Sequence, residues 1–291
     1  MAEPIRIWKY HGTGNDFVML EDLEDARPLN EAFVAAVCDR HTGIGADGVI
    51  RVTRGGAGED FFMDYRNADG SLAEMCGNGI RCLGTLVFEH GHTAEAELEV
   101  GSRDGTKHLS LDVRDGVVET VTVGMGPPAF AREEIPMEGP AGETFLTEPF
   151  DVDGRTFKAS AVSMGNPHLV LFVEQDPHHV DVRSLGPRIE HDPRFPEKTN
   201  VEFVTVGDGA VRLRVWERGS GETMACGTGA CAALVASNEA GLVSARAEVR
   251  FPGGTVVVDR AEDQVYLIGP AERVFEATID DGWLDARGVA W

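Results

Sequence analysis

No apolar run in this 291-residue chain approaches the ~20 residues that a membrane-spanning helix needs, so no membrane partner is expected. Positive charge is also scarce. The 26 lysines and arginines stand against 49 aspartates and glutamates, and a net charge of −23 repels phosphate backbones, which argues against nucleic acid as a partner. The acidity reads first as a solvated surface; the preference for Arg over Lys offers salt adaptation as a second reading. The five cysteines, Cys38, Cys76, Cys82, Cys226 and Cys231, are odd in number and too dispersed for a secreted disulfide framework. Neither close pair is a C-x-x-C, so no metal site is expected at them. Cys38, Cys82 and Cys231 lie on apolar helical patterns and read as small buried residues. His178 and His179 read as loop residues rather than metal ligands. Met1 to Arg6 does not read as the start of a signal peptide, and the cytoplasm is the expected location. At 42% hydrophobic and 26% charged, the composition is that of an ordinary globular protein.

What the chain does contain is a repetition. Met75-Cys76-Gly77-Asn78-Gly79-Ile80 returns as Ala225-Cys226-Gly227-Thr228-Gly229-Ala230, 226 − 76 = 150 residues later. Gly14-Asn15-Asp16-Phe17 likewise returns as Gly165-Asn166-Pro167-His168, with 166 − 15 = 151. Asn67 falls opposite Glu217 in the same comparison. Two unrelated matches at nearly one offset imply an internal duplication. The expected fold class is α+β: two pseudo-symmetric domains, each a mixed, mainly antiparallel sheet or barrel around a central helix, with one Cys-Gly-x-Gly loop from each meeting in a cleft. Pro127-Pro128 and Ile135 to Gly142 mark the crossover, giving domains 1–128 and 129–277, with 278–291 returning to the first.

Alternation predicts a strand at Ile5–Tyr10, further strands are read at Phe17–Leu20, Val49–Val52 and Asp60–Arg66, and a helix is expected from Glu31 to about Arg40, capped by Asn30. A second helix follows Cys76 and stops at Gly91. Gly43-Ile44-Gly45-Ala46-Asp47-Gly48 spells the dinucleotide fingerprint, but a helix precedes it and a strand follows, the reverse of what that fingerprint requires. It is set aside as a cofactor signal. The second half repeats the scheme, with a helix over Val180–Glu190, strands from Glu202 and Ala210, and a long helix behind Cys226 that ends at Gly241.

Each of Cys76 and Cys226 therefore stands at a helix N-terminus. Dipole and flanking amides there can lower a thiol below its usual ~8.5, and the small residues that follow leave backbone N–H groups able to hold a carboxylate. Two such thiols, one per domain, suit inversion of a stereocentre: one takes the α-proton and the other returns a proton to the opposite face. Fixed N–H dipoles on the carboxylate would stabilise the carbanion, each well-aimed donor contributing ~3 to 4 kcal/mol. No pyridoxal-type lysine motif is visible.

These blocks, together with Gly12-Thr13, Asn67-Ala68-Asp69-Gly70-Ser71 and Glu217-Arg218-Gly219, resemble the diaminopimelate epimerase family in order and spacing. The resemblance implies a cofactor-independent interconversion of LL- and meso-diaminopimelate, a small-molecule substrate of lysine and cell-wall synthesis, by a chain commonly paired as a homodimer. It implies that Cys226 accepts and Cys76 donates the proton in the LL-to-meso direction. It further implies that Gly77, Asn78, Gly227 and Thr228 hold the reacting carboxylate, and that Asn15, Asn67, Asn166, Asn200, Glu217 and Arg218 orient the rest. Arg218 would face the distal carboxylate as a bidentate fork, and His168 and Glu217 would tune the thiols. One position departs: many members carry Gln where this chain has Gly48, so orientation there would come from backbone or water.

Three other readings remain. A racemase of proline or histidine would keep both thiols and change the distal pocket. An isomerase that does not use the cysteines would survive their loss, and a non-catalytic thiol redox sensor would turn over no amino acid.

Overall fold

The computed structural model describes residues 4–289, so the reading of Met1 to Arg6 lies partly outside the described residues. The chain divides into two units, Met1–Val123 with Pro270–Trp291, and Gly124–Gly269. The first part runs β1 (Ile5–Gly12), β2 (Asn15–Glu21), α1 (Glu31–Cys38), β3 (Gly48–Arg54), β4 (Phe61–Asn67), α2 (Gly77–Glu89), β5 (Glu97–Gly101), β6 (Lys107–Arg114) and β7 (Val117–Gly126). Then come β8 (Glu148–Val152), β9 (Arg155–Ser163), β10 (Pro167–Phe172), α3 (Val182–Glu190), β11 (Asn200–Gly207), β12 (Ala210–Glu217) and β13 (Gly221–Thr223). Next are α4 (Gly227–Glu239), β14 (Arg246–Phe251), β15 (Gly254–Ala261) and β16 (Gln264–Gly269). The chain closes with β17 (Glu272–Ile279) and α5 (Asp281–Asp285).

Strand pairing makes the duplication explicit. In the first unit β17, β1 and β2 pair antiparallel in turn, β2 runs parallel to β3, β3 antiparallel to β4, β4 parallel to β5, and β5, β6 and β7 antiparallel. In the second unit β8, β9, β10, β11, β12, β14, β15 and β16 pair in the same sequence of orientations. The expected α+β class, with two similar units, is therefore observed. Every residue of α2 from Gly77 to Val87 is buried, as are most residues of α4. A helix buried on all sides is a core element, and α4 packs against strands from β9 to β16 of its own sheet.

Local chemistry sets the boundaries. Asn30 caps α1, its Oδ1 accepting the Phe33 N–H at 2.8 Å. The helix stops at Cys38, short of Arg40. Helix α3 begins two residues later than predicted because Asp181 is its N-cap. The segment Ile135 to Gly142 is more than a crossover: Ile135 and Met137 are buried in the second unit's core beside Phe145 and Phe150. His178 and His179 are exposed in a 3-10 turn.

Three buried groups make the fold sensitive to alkali. Burial pushes the Cys38 and Cys82 thiols up to about 12 and raises the Tyr10 hydroxyl as well. The unfolded chain releases its thiol protons near ~8.5, so above that pH it binds fewer protons than the folded chain and stability falls with rising pH. Melting temperatures should decline from about pH 8.5 upward, and Cys82→Ala should flatten that decline relative to the parent.

Candidate active site

In the first unit, Cys76 is the N-cap of α2, with extended backbone at φ −140°. Its Sγ lies 3.5 Å from Asn15 Oδ1, which also accepts the Asn78 side-chain amide at 3.1 Å. Asn15 is itself oriented by Asp47, its Nδ2 donating to Oδ2 at 2.7 Å, and Asp47 is held by Arg40 at 2.7 Å. Arg40 and Lys9 both pair with Asp16; although burial disfavours its charge, these two cations hold the Asp16 carboxyl below the usual carboxylate range. The glycine-rich stretch set aside as a cofactor signal thus supplies, in Asp47, the residue that fixes Asn15. Asn67 ends β4, where its side chain donates to Ser71 Oγ at 3.0 Å. Gly77 opens α2, whose first N–H groups have no partner inside the helix.

In the second unit, Cys226 is the N-cap of α4, and its sulfur accepts the Gly229 N–H at 3.4 Å and lies 3.5 Å from Thr228 Oγ1. Asn166 donates to the same Thr228 oxygen at 3.4 Å, and its Oδ1 accepts the His168 Nε2–H at 2.9 Å, which requires the proton on that ring nitrogen. His168 Nδ1 meets Glu202 Oε1 at 2.7 Å, and both side chains are fully buried. Asn200 accepts the Arg218 N–H at 2.9 Å and donates to Pro167 O at 2.8 Å. Glu217 accepts the Thr223 hydroxyl. The Arg218 guanidinium donates only to the Glu197 carbonyl, at 3.2 Å, and makes no ion pair among the described residues. In a chain so rich in carboxylates, such a fork stays available for an incoming anion. Gly227 is buried in the first turn of α4.

The undersides of the two helix mouths differ. Phe17 pairs with Gly48 in one unit as His168 pairs with Asn200 in the other, which makes Ile50 the counterpart of Glu202. A methyl placed on Gly79 would lie 2.5 Å from Ile50 Cδ1, and one on Gly229 would lie 2.9 Å from Glu202 Oε1. Apolar Phe17 and Ile50 therefore support the Cys76 turn, whereas an acid and an imidazole support the Cys226 turn. The consequence corrects one expectation: the Cys226 thiol is not lowered but pushed well above its ordinary value, first by burial and then by the Glu217 charge. Hydrogen bonds from Thr228 and the Gly229 N–H oppose this without overcoming it. Burial likewise pushes the Glu217 and Glu202 carboxyls up.

A family model described as diaminopimelate epimerase matches residues 7–131 and 160–274. The diaminopimelate epimerase of Acetivibrio thermocellus is 44% identical over 95% of this chain and 99% of its own. That of Pelotomaculum thermopropionicum is 45% identical over 92% and 96%. The chain belongs to the diaminopimelate epimerase family. A hydroxyproline epimerase from Agrobacterium vitis, solved with trans-4-hydroxy-L-proline, shares the fold at a TM-score of 0.67 and 16% identity, over 96% of this chain and 91% of that one.

At position 48 the space in this chain admits only glycine without a shift of its neighbours. Gly48 pairs with Asn67, and a Cβ on it would lie 2.5 Å from the Arg66 carbonyl and 2.6 Å from the Tyr65 ring. Tyr65 is held edge-on against Phe17 at 5.7 Å, so neither obstacle is the loose end of a side chain. Gly48→Gln should therefore lower the melting temperature, by an overpacking cost of about 1–3 kcal/mol, and should not raise turnover. Melting curves and deuterium exchange on the one variant check both statements. Glu202 and Asp47 were not singled out by sequence. Glu202 did leave a signal: two residues after Asn200 on one strand, it shares that residue's face in an otherwise apolar run.

Proposed function

We propose that the chain interconverts LL- and meso-diaminopimelate without a cofactor, each unit contributing one thiol to a two-base proton transfer at the α-carbon. The observation that carries the reading is the occurrence of cysteine as the N-cap of the buried central helix in both copies of a duplicated fold. In the LL-to-meso direction Cys226 removes the proton and Cys76 delivers one; the reverse direction exchanges the roles. First-turn N–H groups at Gly77, Asn78, Gly227 and Thr228 bind the reacting carboxylate and take up charge as the carbanion forms. Asn15, held by Asp47, and Asn166, held by His168, orient the substrate from the two strand ends. Asn67 and Asn200 shape the pocket, and Arg218, with no ion pair among the described residues, receives the distal carboxylate.

Cys226 rests as a thiol, so it needs an acceptor close by. Glu217, whose charge acts on that thiol and whose own carboxyl is raised, takes that part, and the buried His168–Glu202 pair fixes the turn beneath it. The deciding experiment is incubation with LL-diaminopimelate in D2O with no cofactor added. Meso product carrying deuterium at one α-carbon is expected; exchange into proline or histidine but not diaminopimelate would replace this substrate assignment.

We further place the protein in the cytoplasm, where five free thiols remain reduced, and assign it as a homodimer. Strand β17 pairs only with β1 among the described residues, and it exposes Val274 and Phe275, an apolar edge that a second copy would cover. Light scattering should give twice the chain mass of 31.4 kDa, falling toward one mass in Val274→Lys/Phe275→Lys.

A further inference from the structure

We propose that Glu21, His90 and His92, far along α2 from the Cys76 turn, form a binding site for one divalent ion of the zinc class. Glu21 Oε1 lies 2.5 Å from His90 Nδ1 and 2.8 Å from His92 Nε2, and the three ligand atoms all fall within 4.8 Å of one another. Two imidazoles and a carboxylate are a donor set that suits zinc and its neighbours, with a fourth position left for water. Zinc–ligand bonds of about 2.0–2.1 Å put tetrahedral ligands roughly 3.3 Å apart, so the carboxylate must move outward and the two imidazoles must adjust around the ion for the hydrogen-bonded trio to become a coordination sphere.

The backbone holds these residues in place before any ion arrives. His90 is the C-cap of α2, and Gly91 follows at φ 70°. The Gly91 N–H bonds to Phe88 O at 3.0 Å and the His92 N–H to Val87 O at 2.9 Å, the full pattern of a glycine-terminated helix. That turn brings His90 and His92 together over the end of β2, where Glu21 is the last residue. The Trp8 ring, 4.8 Å from the His90 ring, backs one imidazole. The negative end of the α2 dipole favours a cation there. Side-chain exposures of 15%, 25% and 18% for His90, His92 and Glu21 leave the cluster open, and Glu21 also lines a cavity of about 290 Å³ with Trp8, Leu20 and Asp22. Two arginines, Arg6 and Arg27, also line that cavity, and Arg6 is already paired with Glu276 at 2.6 Å.

The second unit shows that the fold does not require this chemistry. Helix α4 ends in the same turn, with Gly241 at φ 69°, the Gly241 N–H on Asn238 O and the Leu242 N–H on Ser237 O. Ala240 and Leu242 stand where the histidines stand, and Phe172 ends β10 where Glu21 ends β2. All three positions are thus apolar in one copy, and all three are metal-ligating in the other. Among the described residues this is the one such His/Cys/Asp/Glu group.

Cobalt(II) titration tests the assignment, because its visible bands report nitrogen and oxygen ligands while a sulfur-to-cobalt charge-transfer band would reveal binding at the thiols instead. One cobalt per chain is expected, without the sulfur band, and displaceable by zinc(II). His90→Ala/His92→Leu, which copies the second unit, should weaken binding at least ten-fold while retaining deuterium exchange into diaminopimelate. Glu21→Gln, which keeps a hydrogen-bonding oxygen but loses the charge, should do the same if the double variant fails to fold. Zinc(II) should raise the melting temperature of the parent and not of the variants. No binding by the parent, equal binding by all three proteins, or a sulfur band would each overturn the site.

Discussion

Cys76→Ala and Cys226→Ala should each lower epimerisation by about 10³-fold or more, and they should fail on opposite substrates when the reaction is run in D2O. On the proposed assignment, a proton leaving the LL centre goes to Cys226, whether or not Cys76 is present to complete the inversion. In Cys76→Ala the carbanion can only be reprotonated from the side it left, so LL-diaminopimelate should slowly gain deuterium without changing configuration. Cys226→Ala should leave LL-diaminopimelate unlabelled and instead admit deuterium into the meso isomer at the D-centre. Mass spectrometry of chirally resolved substrate reads both outcomes. Equal labelling of both isomers by both variants would mean that the thiols do not act as separate bases. Full activity in either variant would mean that the thiol it lacks is not needed, and the two-base scheme would fall. Cys38→Ala is the control, since that thiol is buried against Phe33 and Val34 in the α1 core and should leave turnover within a few-fold.

The elements that the sequence made legible are those in which one physical signal dominates. Strands β1 to β4, β11 and β12 were legible, β12 through alternation that matches its half-buried face, and β2 and β3 as short apolar runs, buried on both faces, between turns. Asn30 and Gly91 announced their helix ends through side-chain and backbone chemistry that needs no tertiary partner. Strand β8 escaped because Glu148-Pro149 reads as loop and Phe150 is its one buried residue. Helix α5 has no fully buried residue, only Trp283 and Leu284 resting side by side on the core, and five residues are too few to show a periodic stripe.

Within the candidate site, the repeated Cys-Gly-x-Gly was visible because duplication left a fixed offset. What sequence could not supply was which force prevails at each thiol. A helix N-terminus favours thiolate, and that argument applies equally to both cysteines. Only the packed structure places Ile50 beneath one turn and Glu202 beneath the other, and only there does burial beside carboxylates outweigh the dipole at Cys226.

Glu217→Gln turns that conflict into an observable. The Glu217 charge is the second largest influence holding the Cys226 proton on, after burial itself. Replacing it with a neutral amide removes a repulsion from the thiolate, so the thiol value must fall and alkylation of Cys226 at a fixed, mildly alkaline pH must become faster. Catalysis should move the other way. With the carboxylate gone, the proton of the resting thiol has no acceptor beside it, and turnover from LL-diaminopimelate near neutrality should drop by about 10²-fold. Raising the pH should then recover part of the loss, because hydroxide-driven deprotonation replaces the missing acceptor and the lowered thiol ionises earlier. A residue that merely braces the loop would slow both reactions or neither. Faster alkylation together with slower turnover, converging as pH rises, is the signature of a carboxylate that raises the thiol and also relieves it of its proton.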